Sequence, residues 1–437
     1  MIARTRRRLR LRKRAVALRR GFGRIGRGTA APAPPPSAPA VPKPPSTGGG
    51  LQELVRVAPR ESAVRDYRVN LVLSSMAADS TFGGVQTAID LFRAVAGEGQ
   101  RRRIISVAPL DADVMTGFPD FRLVDAADDS DDPSQLVSVA GPGAATIPIG
   151  PRDVFIATFW PTAAFALDVR RWQAATFGAA PERFAYLIQD FEPGFYPRSA
   201  QHLLARSTYD APESTIAIFN TSLLQGGFHD AGIQFPAEFT FEPRLSPALR
   251  DVLARPAGER SRTIVVYGRP SKPRNAFPLI VDGLRAWRAA DPEAPRWTIV
   301  SAGERHVDID LGGGLTMRSL GKLSMSAYAD LLRTSAVGIS LMISPHPSYP
   351  PLEMAYLGLL VLTNRFGDKD LSSWHTNITS LRSITEAGLA ADLTEICRRF
   401  VADATVGDHG RLLRADYLDV GPQFPFADEV ASLLRMT

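Results

Sequence analysis

The run Val337-Gly-Ile-Ser-Leu-Met-Ile343, followed at once by Ser344-Pro-His-Pro-Ser-Tyr-Pro-Pro-Leu-Glu353-Met-Ala-Tyr-Leu-Gly358, decides how this chain is read. The first part is uncharged and apolar, the pattern of a strand buried on both faces. The second turns through prolines into a short helix. Pro350 or Pro351 suits its opening, where no amide hydrogen is needed, and Gly358 suits its end. A strand, a tight turn and a helix N-terminus bring backbone amides and a positive dipole end to one point, which suits an anion. Glu353, expected in the first turn, can accept from sugar hydroxyls. A diphosphate on the amides with a ribose on the carboxylate fits both features. A first-turn glutamate that only complements the helix dipole is the other reading.

The same strand-then-helix unit recurs on either side. Apolar runs at 69–74, 103–107, 154–158, 184–189 and 215–220 read as strands. A Gly83-Gly84 loop leads into a helix from Val85 with Ala88, Leu91, Phe92 and Val95 on one face. Residues 243–262, rich in Pro, Arg and Ala, break the rhythm and read as a hinge. Strands resume at 263–268, 297–302, 337–343 and 360–363, with Phe277, Ile280, Leu284 and Trp287 marking one helix and Tyr328, Leu331 and Leu332 another. Strands alternating with helices give a parallel sheet covered on both faces. The expected fold class is therefore α/β: two doubly wound, Rossmann-like domains, with ligand between their strand C-terminal ends. The divisions are 1–60 as a tail and linker, 61–250, 251–420, and a helix at 421–437 packing back on the first domain.

Composition agrees with a globular body and isolates the tail. Of 437 residues, 45% are hydrophobic and 22% charged, ordinary values that leave room for two cores. The net charge of +6 hides an asymmetry. Residues 1–50 hold 13 Lys or Arg and no acid, leaving 38 basic against 45 acidic side chains, a body of net −7. A negative body argues against a broad nucleic-acid surface. Cys397 is the only cysteine, so no internal disulfide forms, which fits a reducing cytosol. No run reaches the roughly 18 apolar residues of a spanning helix, and the basic N-terminus lacks the apolar core of a secretory signal. A cytoplasmic location follows as an expectation. Residues 1–28 carry twelve of the cations and 29–50 are mostly Ala, Pro, Ser and Gly. Such a segment can lie on the anionic inner face of a membrane, be a solvated extension without a partner, or bind nucleic acid; the first is preferred and no nucleic-acid partner is expected.

Four stretches in chain order carry a family resemblance: Phe82-Gly-Gly-Val-Gln-Thr-Ala-Ile-Asp-Leu-Phe92, Tyr186-Leu-Ile-Gln-Asp-Phe-Glu-Pro-Gly-Phe-Tyr196, Tyr267-Gly-Arg-Pro-Ser-Lys-Pro-Arg-Asn275 and the 344–358 segment. Through them residues 67–437 resemble bacterial GT-B glycosyltransferases of the retaining family 4 type. Within that type the chain looks like the rhamnosyltransferases that build surface polysaccharides or S-layer glycans. The resemblance implies transfer of a deoxyhexose, L-rhamnose from a dTDP donor, to a growing saccharide acceptor, free or lipid-linked. No metal or other cofactor is implied. The family carries two glutamates eight positions apart. Glu353 matches the second, which holds the ribose, while Pro345 occupies the place of the first. Arg269, Lys322 and Glu353 are implied to grip the nucleotide, with Gly268, Ser348 and Tyr349 beside them. Transfer from a UDP- or GDP-sugar, and a non-catalytic saccharide-binding protein on the same fold, stay open as alternatives.

The residues themselves give these roles a physical reason. Arg269 and Lys272 follow a strand end, where cations can neutralise the charge a departing diphosphate gains, and Lys322 and Asn275 sit on comparable loops. Any of these cations can instead be a solvated surface residue. Gly83 and Gly84 let backbone approach a phosphate or acceptor, or simply make a tight turn. Asp190 can orient or deprotonate an acceptor hydroxyl, with Glu192 and Tyr196 beside it for acceptor contact. Glu192 can alternatively cap a helix and brace the loop. Asp111-Ala-Asp113 and Asp308-Ile-Asp310 have a metal-binding spacing but no supporting context, and the six histidines show none. His346 can meet donor sugar or phosphate, or pack among its prolines.

Overall fold

A computed structural model describes residues 51, 53–76, 83–110, 112–140, 146–253 and 258–436. Residues 1–50, on which the tail readings rest, and Phe82 of the first motif lie outside the described residues. The first domain runs β1 (Ala58–Glu61), β2 (Arg68–Leu73), α1 (Gly84–Ala96), β3 (Arg101–Ser106), β4 (Arg122–Asp125), β5 (Ser134–Ser138) and β6 (Thr146–Ile149). It continues through β7 (Asp153–Ala157), α2 (Trp160–Phe177), β8 (Phe184–Ile188), α3 (Ala200–Ser207), β9 (Thr215–Asn220), α4 (Ser222–Asp230) and β10 (Ala237–Phe241). The second begins with α5 (Pro247–Leu253), β11 (Ser261–Gly268), α6 (Phe277–Ala290), β12 (Thr298–Gly303), β13 (Ile309–Gly312), β14 (Leu315–Gly321) and α7 (Met325–Thr334). It ends with β15 (Ser335–Ile339), α8 (Tyr349–Tyr356), β16 (Leu360–Thr363), β17 (Ile378–Ser380) and α9 (Glu386–Ala402), before α10 (Ala427–Leu434).

Each domain is built on a parallel sheet. The first has strand order β10-β9-β8-β7-β2-β3-β5-β4, and the second β13-β14-β12-β11-β15-β16-β17, in which only β13 runs antiparallel to its neighbour. A two-stranded ribbon, β1 with β6, completes the first domain. Strands β2, β7, β8, β9, β15 and β16 bury every residue, as in Val69, Leu71, Val72 and Leu73 of β2 and Ile216, Ile218 and Phe219 of β9. That is the continuous apolar run required where helices cover both faces. On one face of the first sheet Leu91, Phe92 and Val95 of α1 pack with Leu71 and Ile104. In the second sheet Ile280, Leu284 and Trp287 of α6 and Leu389 and Leu393 of α9 do the same against Val266 and Val337.

Two expectations are corrected. The 243–262 stretch is not a bare hinge: Leu245, Leu249 and Val252 are buried in the second domain's core with Leu352 and Tyr417. Their spacing is helical, so the expected boundary at 250 falls inside α5, and the first sheet closes earlier, at Phe241. The apolar run 337–343 also leaves the sheet before its end. β15 stops at Ile339, and the Asn364 side chain takes over the backbone of Met342, accepting from its N–H (2.7 Å) and donating to its carbonyl (3.1 Å). At the C-terminus the chain crosses back. Val430, Ala431 and Leu434 of α10 are buried with α1, while Phe424 meets Phe241 of β10 edge-on and Phe426 stacks on Phe239 of the same strand. Among the described residues no helix is long and apolar enough to cross a membrane.

Candidate functional site

The two domains touch where strand C-terminal ends meet. Asp190, two residues past β8, is 5% exposed. Its Oδ1 accepts from the Phe191 N–H (2.8 Å) and from the Ser344 hydroxyl of the other domain. Its Oδ2 lies 3.3 Å from Nε of Arg274, whose guanidinium also covers the Phe195 ring at 4.1 Å. A second bridge joins Asn220, at the end of β9, to the Tyr349 hydroxyl (3.0 Å). Close packing backs these contacts, since a Cβ on Gly227 would come within 2.6 Å of Pro345.

Glu192 faces inward. Its Oε2 accepts from the Trp160 N–H (2.6 Å), the first amide of α2, and from the Tyr186 hydroxyl (2.8 Å). Burial pushes its carboxyl up to about 8, with Tyr186 and the Trp160 amide only partly offsetting. It caps a helix lacking a side-chain cap of its own and braces the loop, so the acceptor contact expected of it has no basis in its placement. Tyr196 accepts from Trp160 Nε1 (3.1 Å) and keeps one edge toward solvent. Gly83 is the exposed N-cap of α1 with φ 74, a conformation glycine adopts without strain. Gly84 is the first helical residue, and a Cβ there would strike Gln189 Oε1 at 2.4 Å.

The second domain supplies the cations. Arg269 is partly exposed and Lys272 exposed on the loop after β11. Between them Glu304 accepts from the Ser271 N–H (3.0 Å). Burial works against the Glu304 carboxylate, but Ser271 and the charges of Arg269 and Lys272 hold it below its ordinary range. Gly268 needs its missing Cβ for packing, because one would meet Ser301 Oγ at 1.9 Å. Asn275 is turned inward, donating to the Leu341 carbonyl (3.2 Å), so it fixes the end of the strand region instead of offering an amide to a ligand. Lys322 stands exposed between β14 and α7, whose N-cap is Ser324. The first Asp-X-Asp pair falls partly outside the described residues; in the second, Asp308 accepts from the Ser319 N–H (2.9 Å).

The 344–358 segment departs from its expected form in two ways. Tyr349 opens α8, so Pro350 and Pro351 occupy the next two positions and remove two of the amides an anion would use. Glu353 therefore sits in the second turn, not the first. Burial pushes its carboxyl up to about 7, the Tyr328 hydroxyl pulling it part of the way back. Ser348, the N-cap, is held at φ 69, an uncommon angle for a residue with a side chain. The turn therefore offers few free amides at the start of α8.

Sequence reading passed over Arg274, Asn220 and Lys369. Arg274 carried a visible signal, being the third cation of the β11 loop. Lys369 carried none: it lies in a charged stretch after β16, yet it is 1% exposed and its Nζ donates to the carbonyls of Met342 (2.6 Å) and His346 (3.4 Å). Burial pulls that amine down to about 7, against the attraction of Asp190.

Comparison with known proteins fits this geometry. Residues 68–222 match the family model of the WsaF N-terminal domain, and residues 262–394 that of the WsaF C-terminal domain. The O-antigen biosynthesis protein RfbC of Myxococcus xanthus is 30% identical over 226 residues, 51% of this chain but only 17% of that protein. Among solved structures, an Escherichia coli trehalose-6-phosphate protein bound with UDP-2-fluoro glucose superposes with a TM-score of 0.52 at 11% identity, over 85% of this chain and 99% of that one. A trehalose-6-phosphate synthase, OtsA, gives 0.51 at 12% identity over the same shares. At such identities the likeness is one of fold, and the fold is GT-B.

Proposed function

The chain carries both WsaF domains on a GT-B glycosyltransferase fold, and from that premise we propose that it moves a sugar from a nucleoside-diphosphate donor onto a saccharide acceptor during surface-polysaccharide assembly. The donor we assign is dTDP-L-rhamnose and the outcome retention of configuration. The observation that carries the reading is the contact between Arg274 and Asp190, which joins the cationic loop after β11 to the carboxylate at the end of β8. Transfer needs a phosphate-neutralising cation and a saccharide-orienting carboxylate at one point, and this junction offers both.

In this reading Arg269, Lys272 and Arg274 meet the charge that appears on the diphosphate as the glycosidic bond breaks, with Lys322 contributing from the β14–α7 loop. Glu353, once ionised, accepts from the ribose hydroxyls. Asp190 orients the acceptor hydroxyl, and Tyr196 lines the acceptor side. The departing phosphate takes the acceptor's proton as the hydroxyl attacks from the same face, so a strong protein base is not required. A closed, cation-lined site suits that course. The RfbC relative supports a surface-polysaccharide setting through its matched region.

The test is thermal stabilisation of the full chain by dTDP, UDP and GDP, since a ligand that binds the folded state raises its melting point by mass action. A shift with dTDP that Glu353→Ala and Arg269→Ala both lose is the expected result. A shift only with UDP or GDP would reassign the donor. No shift with any of the three would leave a saccharide-binding protein without transferase activity.

A further inference from the structure

His346 is the one member of the 344–358 turn whose side chain is both locked in place and left with an unused donor. Its backbone N–H donates to Ser344 Oγ (3.0 Å), its carbonyl receives Lys369 Nζ (3.4 Å), and its ring lies 5.7 Å from that of Tyr349. Nδ1 accepts from the Ser348 N–H (3.0 Å), so in the neutral ring the proton sits on Nε2. Burial, outweighing the nearby Asp190 carboxylate, pulls the imidazole down to about 4 and keeps it neutral at pH 7. The ring is 5% exposed, and Nε2 has no partner among the described residues. Buried donors without partners are rare because leaving one unmade is costly.

We propose that His346 donates from Nε2–H to a hydroxyl of the sugar being transferred. This rests on the donor reading above and adds the residue that recognises the sugar as distinct from its nucleotide. Three charged groups face the ring, and they select the ligand's chemistry. Lys369 is engaged on backbone carbonyls and Arg274 on Asp190. Asp190 leaves a carboxylate in the neighbourhood, linked to the turn through Ser344. A phosphate oxygen only accepts, so it could pair with His346 but has no proton to offer Asp190. A hydroxyl can accept from His346 while donating toward Asp190, so both groups are satisfied at once.

The test measures, by calorimetry on the full chain, the affinities for dTDP-L-rhamnose against dTDP and for UDP-glucose against UDP. His346→Asn keeps an oxygen where Nδ1 accepts from Ser348 but removes the Nε2 donor; His346→Gln places an amide donor near Nε2. The expected result is unchanged binding of the bare nucleotide in His346→Asn. The extra affinity given by the sugar should fall ~10-fold, the loss of about one hydrogen bond, with partial recovery in His346→Gln. Equal binding of the nucleotide sugar by wild type and His346→Asn would overturn the proposal. So would equal weakening of nucleotide and nucleotide sugar, which would make His346 a support for α8 only. Failure of the wild-type chain to bind any of the four ligands would instead sink the donor reading on which the proposal stands.

Discussion

Glu353 is a carboxyl among phenols: Tyr328, Tyr349 and Tyr417 all feel its charge. With its pKa raised from 4.5 to about 7, the folded chain holds this proton more tightly than the unfolded chain. The group's contribution to stability is therefore complete below pH 4.5 and is lost as pH rises through 7. Glu192 acts in the same direction up to about pH 8. His346 and His375, both drawn down to about 4 by burial, act the other way, contributing above pH 6.5 and failing as pH falls toward 4. Two outcomes follow for Glu353. Glu353→Gln should melt higher than wild type at pH 8 and nearly level with it at pH 4.5. If ribose hydroxyls donate to the ionised carboxylate, wild-type nucleotide affinity should climb between pH 6 and 8 while Glu353→Gln stays flat, which calorimetry across that range would read. A flat wild-type profile would remove Glu353 from the ribose. The sequence made this residue visible as the acid after a proline turn. It did not reveal the second-turn position, because either proline could have opened the helix and Tyr349 carries no start signal.

At the scale of elements, legibility follows burial. β2, β7, β8, β9, β11, β15 and β16 lie inside their sheets and announce themselves as mainly apolar runs. The edge strands β4, β10 and β13, with β5, β14 and β17, are short or half polar, and their sequences do not differ from loops. That Glu192 could cap a helix was readable, but not that the helix is α2, whose first amide lies 32 residues away. Glu192→Ala should leave the Trp160 amide and the Tyr186 hydroxyl unpaired and cost ~2–6 kcal/mol at about 1–3 kcal/mol per stranded group. A lowered urea midpoint with unchanged slope would measure it, and a loss under ~1 kcal/mol would mean the loop re-pairs. A second hidden device sits near the N-terminal ends of β2, β3 and β7, away from the interdomain junction. Asp153, 1% exposed, pairs with Arg68 (2.6 Å) and lies 3.6 Å from Arg103. Asp153→Asn would strand two buried guanidinium groups and should cost ~3–5 kcal/mol. Nucleotide affinity should not change in that variant; a parallel loss of binding would show that the sheet transmits strain to its other end.

For the whole molecule, the doubly wound plan was readable from the alternation of runs and helices and the return of a C-terminal helix was expected, but the Phe424 and Phe426 contacts with β10 that anchor it have no local signature. Charge is the property that belongs to no element. The chain's +6 is the sum of 13 cations in residues 1–50 and a body of −7, so the two parts should respond oppositely to an anionic surface. Each Lys or Arg brought to such a surface contributes about 1 kcal/mol, and the attraction fades beyond a Debye length of roughly 8–10 Å at physiological salt. A net-negative body would be repelled over the same distance. We therefore expect the full chain to sediment with vesicles rich in anionic lipid at low salt and to be released as salt rises. The chain lacking residues 1–50 should stay in solution at every salt concentration, and its transfer to a soluble acceptor should be unimpaired. Vesicle binding that survives the deletion would place membrane affinity on the body against its own net charge, and would require a local cationic face in place of the tail.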